Sequence, residues 1–401
     1  MGVVAALVLI VVALAGLVLC VITAYRRRSA DSKGSQLLAD KEGQRHRNWS
    51  PTQVIIEMTT PPRQGQAVCI DDATLRDEIR SAKEAITGAG RHFFGRPDPP
   101  SRLVTTRFSA TLRDMILGRA MKAAASLDYF MHVPSNVSTP SLDDSIDEII
   151  REVTTRGNDV TKECLNYVLY EAAGSSTEIF PNSPYPRDCD ADGVRKDRQK
   201  ESGEPMRFDD FVAHKDAVRA SLHRAHVLAL RLYTTAAFVE INDPLRDLND
   251  ERNRCRRPHP FPHTVRLIRD AIKQLRQNND SIQSDRTSGR RTTLYRGLKD
   301  VQLTEDFLRN GGTDVGTMST TSSLHVALEY AAATSPTLRT THTLLQLQLR
   351  NGLQRGADIS FLSAFPAEKE VVYPPLTLIQ PEGEPREIEG ITVIDAMVTV
   401  A

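Results

Sequence analysis

Apolar and polar positions change their period along the chain, and the changes divide it. Val3–Ala24 is apolar with no charge inside it. At ~1.5 Å rise per residue a helix over this run spans ~33 Å, which matches the ~30 Å hydrocarbon core of a bilayer, so residues 1–28 are expected to form a transmembrane anchor with a basic stop. Residues 29–62 are polar and hold Pro61-Pro62, as a juxtamembrane linker would. Residues 71–90 place Leu75, Ile79, Ala82 and Ile86 at three- and four-residue steps behind Asp71 and Asp72, the pattern of an amphipathic helix. Residues 91–110 read as loop, and Leu112–Met131 and Asp144–Ala173 return to helical spacing. A separate helical region is therefore expected over 63–173, with a polar linker over 174–206.

After Met206 the order is helices, then strands. Phe208–Glu240 reads as mostly helical, and Pro262–Gln277 sets Val265, Ile268, Ile272 and Leu275 on one face. From Thr292 the period falls to two. Residues 292–298 alternate, 343–349 put Leu345, Leu347 and Leu349 on one side, and 370–380 and 391–400 are rich in Val, Ile and Thr. Such an order predicts an α+β domain over 207–401 with a mixed or antiparallel sheet.

Charge narrows the function classes. Lys and Arg number 51 and so do Asp and Glu, so the basic excess of a general nucleic-acid binder is missing and no nucleic-acid partner is expected. Cys20, Cys69, Cys164, Cys189 and Cys255 form no Cys-x-x-Cys pair, which gives a zinc or redox motif no support; disulfides and free thiols both stay open. Arg26-Arg27-Arg28 directly after the apolar run favours a cytoplasmic body by the positive-inside rule. The sequons at Asn48, Asn136 and Asn279 are usable only on the opposite side, and so keep a luminal or extracellular body open.

Candidate chemistry lies in the second half. Leu294-Tyr295-Arg296-Gly297 ends a strand, where an arginine can present a fork of donors to a diphosphate and a glycine permits close approach. Gly316-Thr317-Met318-Ser319-Thr320-Thr321-Ser322 is dense in hydroxyls, with Ser322 or Ser323 placed to cap the helix that follows. Phe365-Pro366-Ala367-Glu368-Lys369-Glu370-Val371-Val372 puts Glu368 and Glu370 on one face if the segment is extended, although a charged edge strand is the plain alternative for an isolated Glu-x-Glu. Upstream, Leu230–Thr234, Ile241–Arg246 and His259–Phe261 by themselves read as helix, turn and helix.

In this order and spacing the features resemble the Arg-Ser-Glu class of mono-ADP-ribosyltransferases, over roughly 209–385. The resemblance implies an ADP-ribosyltransferase β-sandwich behind a helical lead-in, NAD as co-substrate, no metal, and a protein substrate with an exposed arginine. It implies that Arg296 holds the NAD phosphates, that Gly297 meets the nicotinamide carboxamide through its backbone, and that Ser319, supported by Thr320, orients the catalytic Glu370. Tyr330 falls where the class has an aromatic against the nicotinamide ring. Phe365 matches the aromatic of a substrate-recognition loop, and Glu368 matches the glutamate that accompanies arginine as acceptor. Thr321 stands in place of the second serine of the class motif, and Tyr330 in place of Phe. The expected activity is transfer of ADP-ribose to arginine; an NAD glycohydrolase on the same scaffold and a non-catalytic, membrane-anchored binding module are the alternatives.

Overall fold

The chain divides into residues 1–67 and 68–401, and all described residues belong to the second unit. The computed structural model describes residues 72–88, 127–133, 140–174, 187–188, 198–247, 258–277, 292–299, 303–331, 342–349 and 354–400. The Val3–Ala24 run, the 29–62 linker and the 91–110 loop lie outside them. Among the described residues no helix is long and apolar enough to cross a membrane.

Helix α1 is Asp72–Gly88, and α2, Leu127–Phe130, is the described end of the expected Leu112–Met131 helix. The expected Asp144–Ala173 helix is two, α3 Ser145–Arg156 and α4 Asp159–Tyr170. The break falls at Gly157, whose backbone is extended, and Asn158, whose side chain accepts from the Thr161 N–H at 2.8 Å and starts the second helix. Phe208–Glu240 is likewise divided, into α5 Phe208–Val212, α6 Lys215–Arg219, α7 Arg224–Tyr233 and the start of α8 Phe238–Asp247. Histidines cap two of these pieces. His214 accepts from the Asp216 N–H and His223 from the Ala225 N–H, each at 3.3 Å. Helix α9, Pro262–Gln277, has the predicted bounds.

These helices form one layer. Ile149 and Val153 of α3, Leu165 and Val168 of α4, Leu228 of α7 and Ile268 of α9 belong to a single buried cluster. A separate helical region before residue 174 is thus corrected: α3 and α4 bury their apolar stripes against the helices after residue 207, where each fully buried Leu, Ile or Val contributes roughly 1.5–3 kcal/mol. The polar stretch 174–206 is corrected too. Among its described residues Asp188 and Arg198 are buried, so this segment enters the domain rather than bridging to it.

Next in the chain come strands, with α10, Glu305–Asn310, between the first two. The strands are β1 Thr292–Lys299, β2 Gly312–Asp314, β3 Met318–Thr321, β4 His342–Leu349, β5 Ala357–Asp358, β6 Glu370–Tyr373, β7 Thr377–Pro381, β8 Arg386–Ile388 and β9 Ile391–Thr399. They join in one nine-stranded sheet along the path β2-β7-β9-β4-β1-β3-β6-β5, with β8 on β9. The sheet is mixed: β4 and β9 run parallel, and the other described pairs are antiparallel. A sandwich implies two separate sheets. Here the halves stay joined at β1–β3, through the single pairing Tyr295↔Thr321.

The predicted strand 370–380 breaks between these halves. Pro374 and Pro375 have no N–H to give a ladder, and Leu376 turns through φ 70°. The chain thereby passes from β6, paired with β3 and β5, to β7, paired with β2 and β9. One face of the long half is covered by α1 and by α11, Leu324–Ala331, where Leu75 and Ile79 pack with Leu328, Leu344 and Val393.

The start of α9 is capped from another helix. The buried Glu152 of α3 accepts from the N–H groups of His263 at 2.8 Å and Thr264 at 3.0 Å, and from the Thr264 hydroxyl at 2.7 Å. Burial raises its pKa although these bonds oppose the rise. Glu152→Ala is expected to lower stability by about 2 kcal/mol, since it removes a cap and leaves three donors buried. Denaturant midpoints check this, and an unchanged midpoint with an unchanged slope would show that the cap adds nothing to stability.

Candidate active site

Strand pairing brings the first two site residues together. Ser319 lies opposite Val372 and Thr321 opposite Glu370. Ser319 and Glu370 are therefore diagonal neighbours on one face, within reach of each other. The Ser319 hydroxyl donates to Glu370 Oε1 at 2.7 Å, and the Ser363 hydroxyl approaches Oε2 at 3.5 Å. Thr320 points to the opposite face, where its hydroxyl donates to the Val371 carbonyl at 2.6 Å; it fastens β3 to β6 and does not reach Glu370.

Arg296 comes from β1 and closes the junction between the sheet halves. Its Nη1 donates to the Ser319 carbonyl at 3.0 Å and its Nη2 to Asp314 Oδ2 at 3.1 Å. Arg246 of α8 stands on the other oxygen of Asp314, Nε to Oδ1, at 3.5 Å. Burial pushes the Arg246 guanidinium toward a lower pKa, but Asp314, Tyr233 and Asp243 together outweigh it and the result lies above the ordinary value. Two guanidiniums thus share one carboxylate behind Ser319.

Gly297 follows directly. A Cβ built there would lie 1.9 Å from the Ala327 carbonyl oxygen, so the glycine lets α11 rest on β1. Tyr330 projects from that helix with 39% of its surface exposed. Its hydroxyl donates to Glu368 Oε1 at 2.6 Å. Glu368 is not on an extended strand, contrary to the sequence expectation. Pro366–Glu368 is a 3-10 turn, and Lys369 takes a left-handed conformation with φ 49° before the strand starts at Glu370. The chain thus turns between the two glutamates, and the charge of Glu368 still acts on Glu370. Phe365 is buried in the helical-layer core rather than exposed.

Several partners were not read from the sequence. Asn242 of α8 exchanges two bonds with the backbone of Thr317, accepting from its N–H at 2.9 Å and donating to its carbonyl at 3.2 Å. The Tyr233 hydroxyl donates to the same carbonyl at 3.3 Å, and Thr234 accepts from the Ala364 N–H at 2.9 Å. The helix-turn-helix reading of this region described its shape but not its role. A usable signal was present: Asn242 and Arg246, four apart in a helix, put two polar groups on one face. The Ser322-or-Ser323 alternative resolves to Ser323, whose hydroxyl accepts from the Val326 N–H at 3.4 Å.

Residues 213–379 match the model of the ADP-ribosyltransferase exoenzyme family, a span that contains every one of these side chains. This match assigns an ADP-ribosyltransferase domain to residues 213–379. Similar solved structures include the ADP-ribosyltransferase HopU1 of Pseudomonas syringae pv. tomato DC3000, at 18% identity over 48% of this chain and 85% of that one, with a TM-score of 0.34. An ADP-ribosyltransferase from Clostridium botulinum is similar at 18% identity over 48% and 95%, TM-score 0.34. The eukaryotic mono-ADP-ribosyltransferase ART2.2 is similar at 13% identity over 63% and 83%, TM-score 0.34. No curated protein matches the chain. The co-substrate of the ADP-ribosyltransferase family is NAD. Among the described residues no group of three or more His, Cys, Asp or Glu side chains could hold a metal ion.

Electrostatics single out one group in this ADP-ribosyltransferase domain. Glu370 is pushed up to about 8, first by burial and then by the charge of Glu368, while the bonds from Ser319 and Ser363 pull the other way. From the ordinary carboxylate range up to pH 8, folded Glu370 keeps a proton that the unfolded chain releases. Stability therefore falls as pH rises through that window. A carboxyl-carbon NMR titration of Glu370 is expected to show a midpoint near 8, and Glu368→Gln is expected to lower it. A midpoint near 4 in the wild type would show that the site is wetter than its geometry indicates.

Proposed function

We propose that the domain transfers the ADP-ribosyl group of NAD to the guanidinium of arginine side chains on a protein, with release of nicotinamide. The observation that carries this reading is the pair of carboxylates: Glu370 buried and gripped by Ser319, and Glu368 close enough for its charge to act on Glu370. Breaking the nicotinamide–ribose bond leaves positive charge on the sugar, and a fixed carboxylate in a water-poor site stabilises that charge best. Burial and Glu368 hold Glu370 toward its protonated form. The positive charge of the nicotinamide ring favours its ionised form, so substrate arrival switches the carboxylate on.

Glu368 is the partner for the acceptor. A guanidinium is protonated at neutral pH and attacks only as it loses a proton, and a carboxylate beside it both orients the planar fork and draws that proton. Arg296 and Arg246, sharing Asp314, supply the donors suited to the diphosphate. Ser319 holds Glu370, and Tyr330 offers its ring beside Glu368. We place the domain at a membrane through Val3–Ala24, with Arg26, Arg27 and Arg28 favouring a cytoplasmic body.

The test uses the full chain with labelled NAD and agmatine as the arginine mimic. Wild type is expected to modify agmatine. Glu370→Gln should lower both nicotinamide release and transfer by about 10²–10³-fold, the scale on which one electrostatic stabiliser acts. Glu368→Gln should keep nicotinamide release and lose transfer. If wild type forms only free ADP-ribose, the domain is a hydrolase; if it leaves NAD intact, the catalytic reading fails.

A further inference from the structure

The loop between β5 and the Pro366–Glu368 turn bears Ser363 and Phe365 and leads into Glu368, yet it makes little sheet structure of its own. Buried backbone carbonyls need donors. Here the donors come from the polar stretch before residue 207 and from α7. Arg198 Nη2 donates to the carbonyls of Ser360 and Ser363, the second at 3.0 Å. Arg231 Nη1 donates to the Leu362 carbonyl at 2.9 Å. The Asp188 N–H donates to the Ala364 carbonyl. The carbonyls of Ser360, Leu362, Ser363 and Ala364 are thus all taken from outside the loop.

One carboxylate organises these donors. Asp188 is fully buried, with Arg231 on both of its oxygens at 3.2 Å and Arg198 Nε 3.4 Å from Oδ1. Arg231 and Arg198 are themselves 2% and 3% exposed. Arg231 also lies over the Phe211 ring, 3.8 Å from its centroid, which holds the guanidinium plane. Buried charges of this kind hold a defined geometry when every partner is present. Thr234 adds a further tie, on the Ala364 N–H.

We propose that Asp188, Arg198 and Arg231 are positioning residues that set the shape of the loop at 359–365, and through it the placement of Glu368 against the acceptor. The inference rests on the transfer reading for its effect on activity, but not for the anchoring itself. Glu370 is held from β3 by Ser319 at 2.7 Å, and the loop reaches its carboxyl group through the Ser363 hydroxyl at the longer distance of 3.5 Å, so NAD cleavage depends on the loop less than acceptor attack does.

The experiment compares Arg198→Met and Arg198→Lys with wild type in the full chain. Arg198→Met removes the donors to Ser360 and Ser363 and leaves the Asp188–Arg231 pair in place. Hydrogen exchange across 359–365 is read beside agmatine transfer and acceptor-free nicotinamide release. In Arg198→Met the loop amides should exchange about tenfold faster or more while β4 and β9 keep wild-type protection. The KM for agmatine should rise and transfer fall about 10- to 100-fold, as a small misplacement of a reacting group produces, with nicotinamide release within about threefold of wild type. Arg198→Lys, which keeps the charge but not the fork, should fall between. Unchanged loop exchange in the folded variant overturns the proposal, and so does a parallel loss of transfer and release. A wild type that leaves NAD intact removes the transfer reading instead, and loop exchange alone then decides the anchoring.

Discussion

The Arg296 guanidinium is the constraint on which the rest of the site depends. The sheet is nearly divided at β1–β3, where one residue pair joins its halves. Arg296 reaches across that junction, with one nitrogen on the Ser319 carbonyl and the other on Asp314. The backbone that presents the Ser319 hydroxyl is thereby fixed from the far half, and Ser319 fixes Glu370. A sheet joined by one residue pair would be loose at this point without a rigid, permanently charged group to span it.

The helical layer acts as the second support. It holds the two segments around Glu370 by their backbones, Thr317 through Asn242 and Tyr233, and Ala364 through Thr234. Tyr233 and Thr234 stand together at the end of α7, which explains why its apolar stripe gives way to hydroxyls there. Burial on this scale also sets the electrostatics. Burial and the charge of Glu368 together hold Glu370 toward its protonated form.

Elements with a long, clean period were legible in the sequence. Helix α9 and strands β1, β4 and β9 fall where their apolar spacing put them, because each covers one face of a core and nothing else interferes. The spacing of Arg296, Ser319, Glu368 and Glu370 also carried the family. What was missed lay where single residues override the period. Gly157 with Asn158 cuts one helix into two, Pro374-Pro375 moves a strand between sheet halves, and Lys369 turns a supposed strand so that Glu368 leaves it. The polar stretch 174–206 was misread for another reason. Asp188 and Arg198 look solvated in any hydropathy profile, and their burial depends on Arg231, which lies far along the chain in α7, a pairing that periodicity does not reveal.

The loop that precedes Glu368 is gripped by its carbonyls, a part of the chain that every residue type shares. Its outline is set from two sides, by the donors on its carbonyls and by the burial of Ile359, Leu362, Ala364 and Phe365 in the helical-layer core. Ser360, whose side chain takes no part in the grip, is a position where substitution can recolour the surface offered to a partner without reshaping it, whereas Phe361 stacks on the His214 ring and packs against the helical-layer core. A scaffold of that kind lets recognition drift over evolutionary time, or be redesigned, while the chemistry beneath it stays constant.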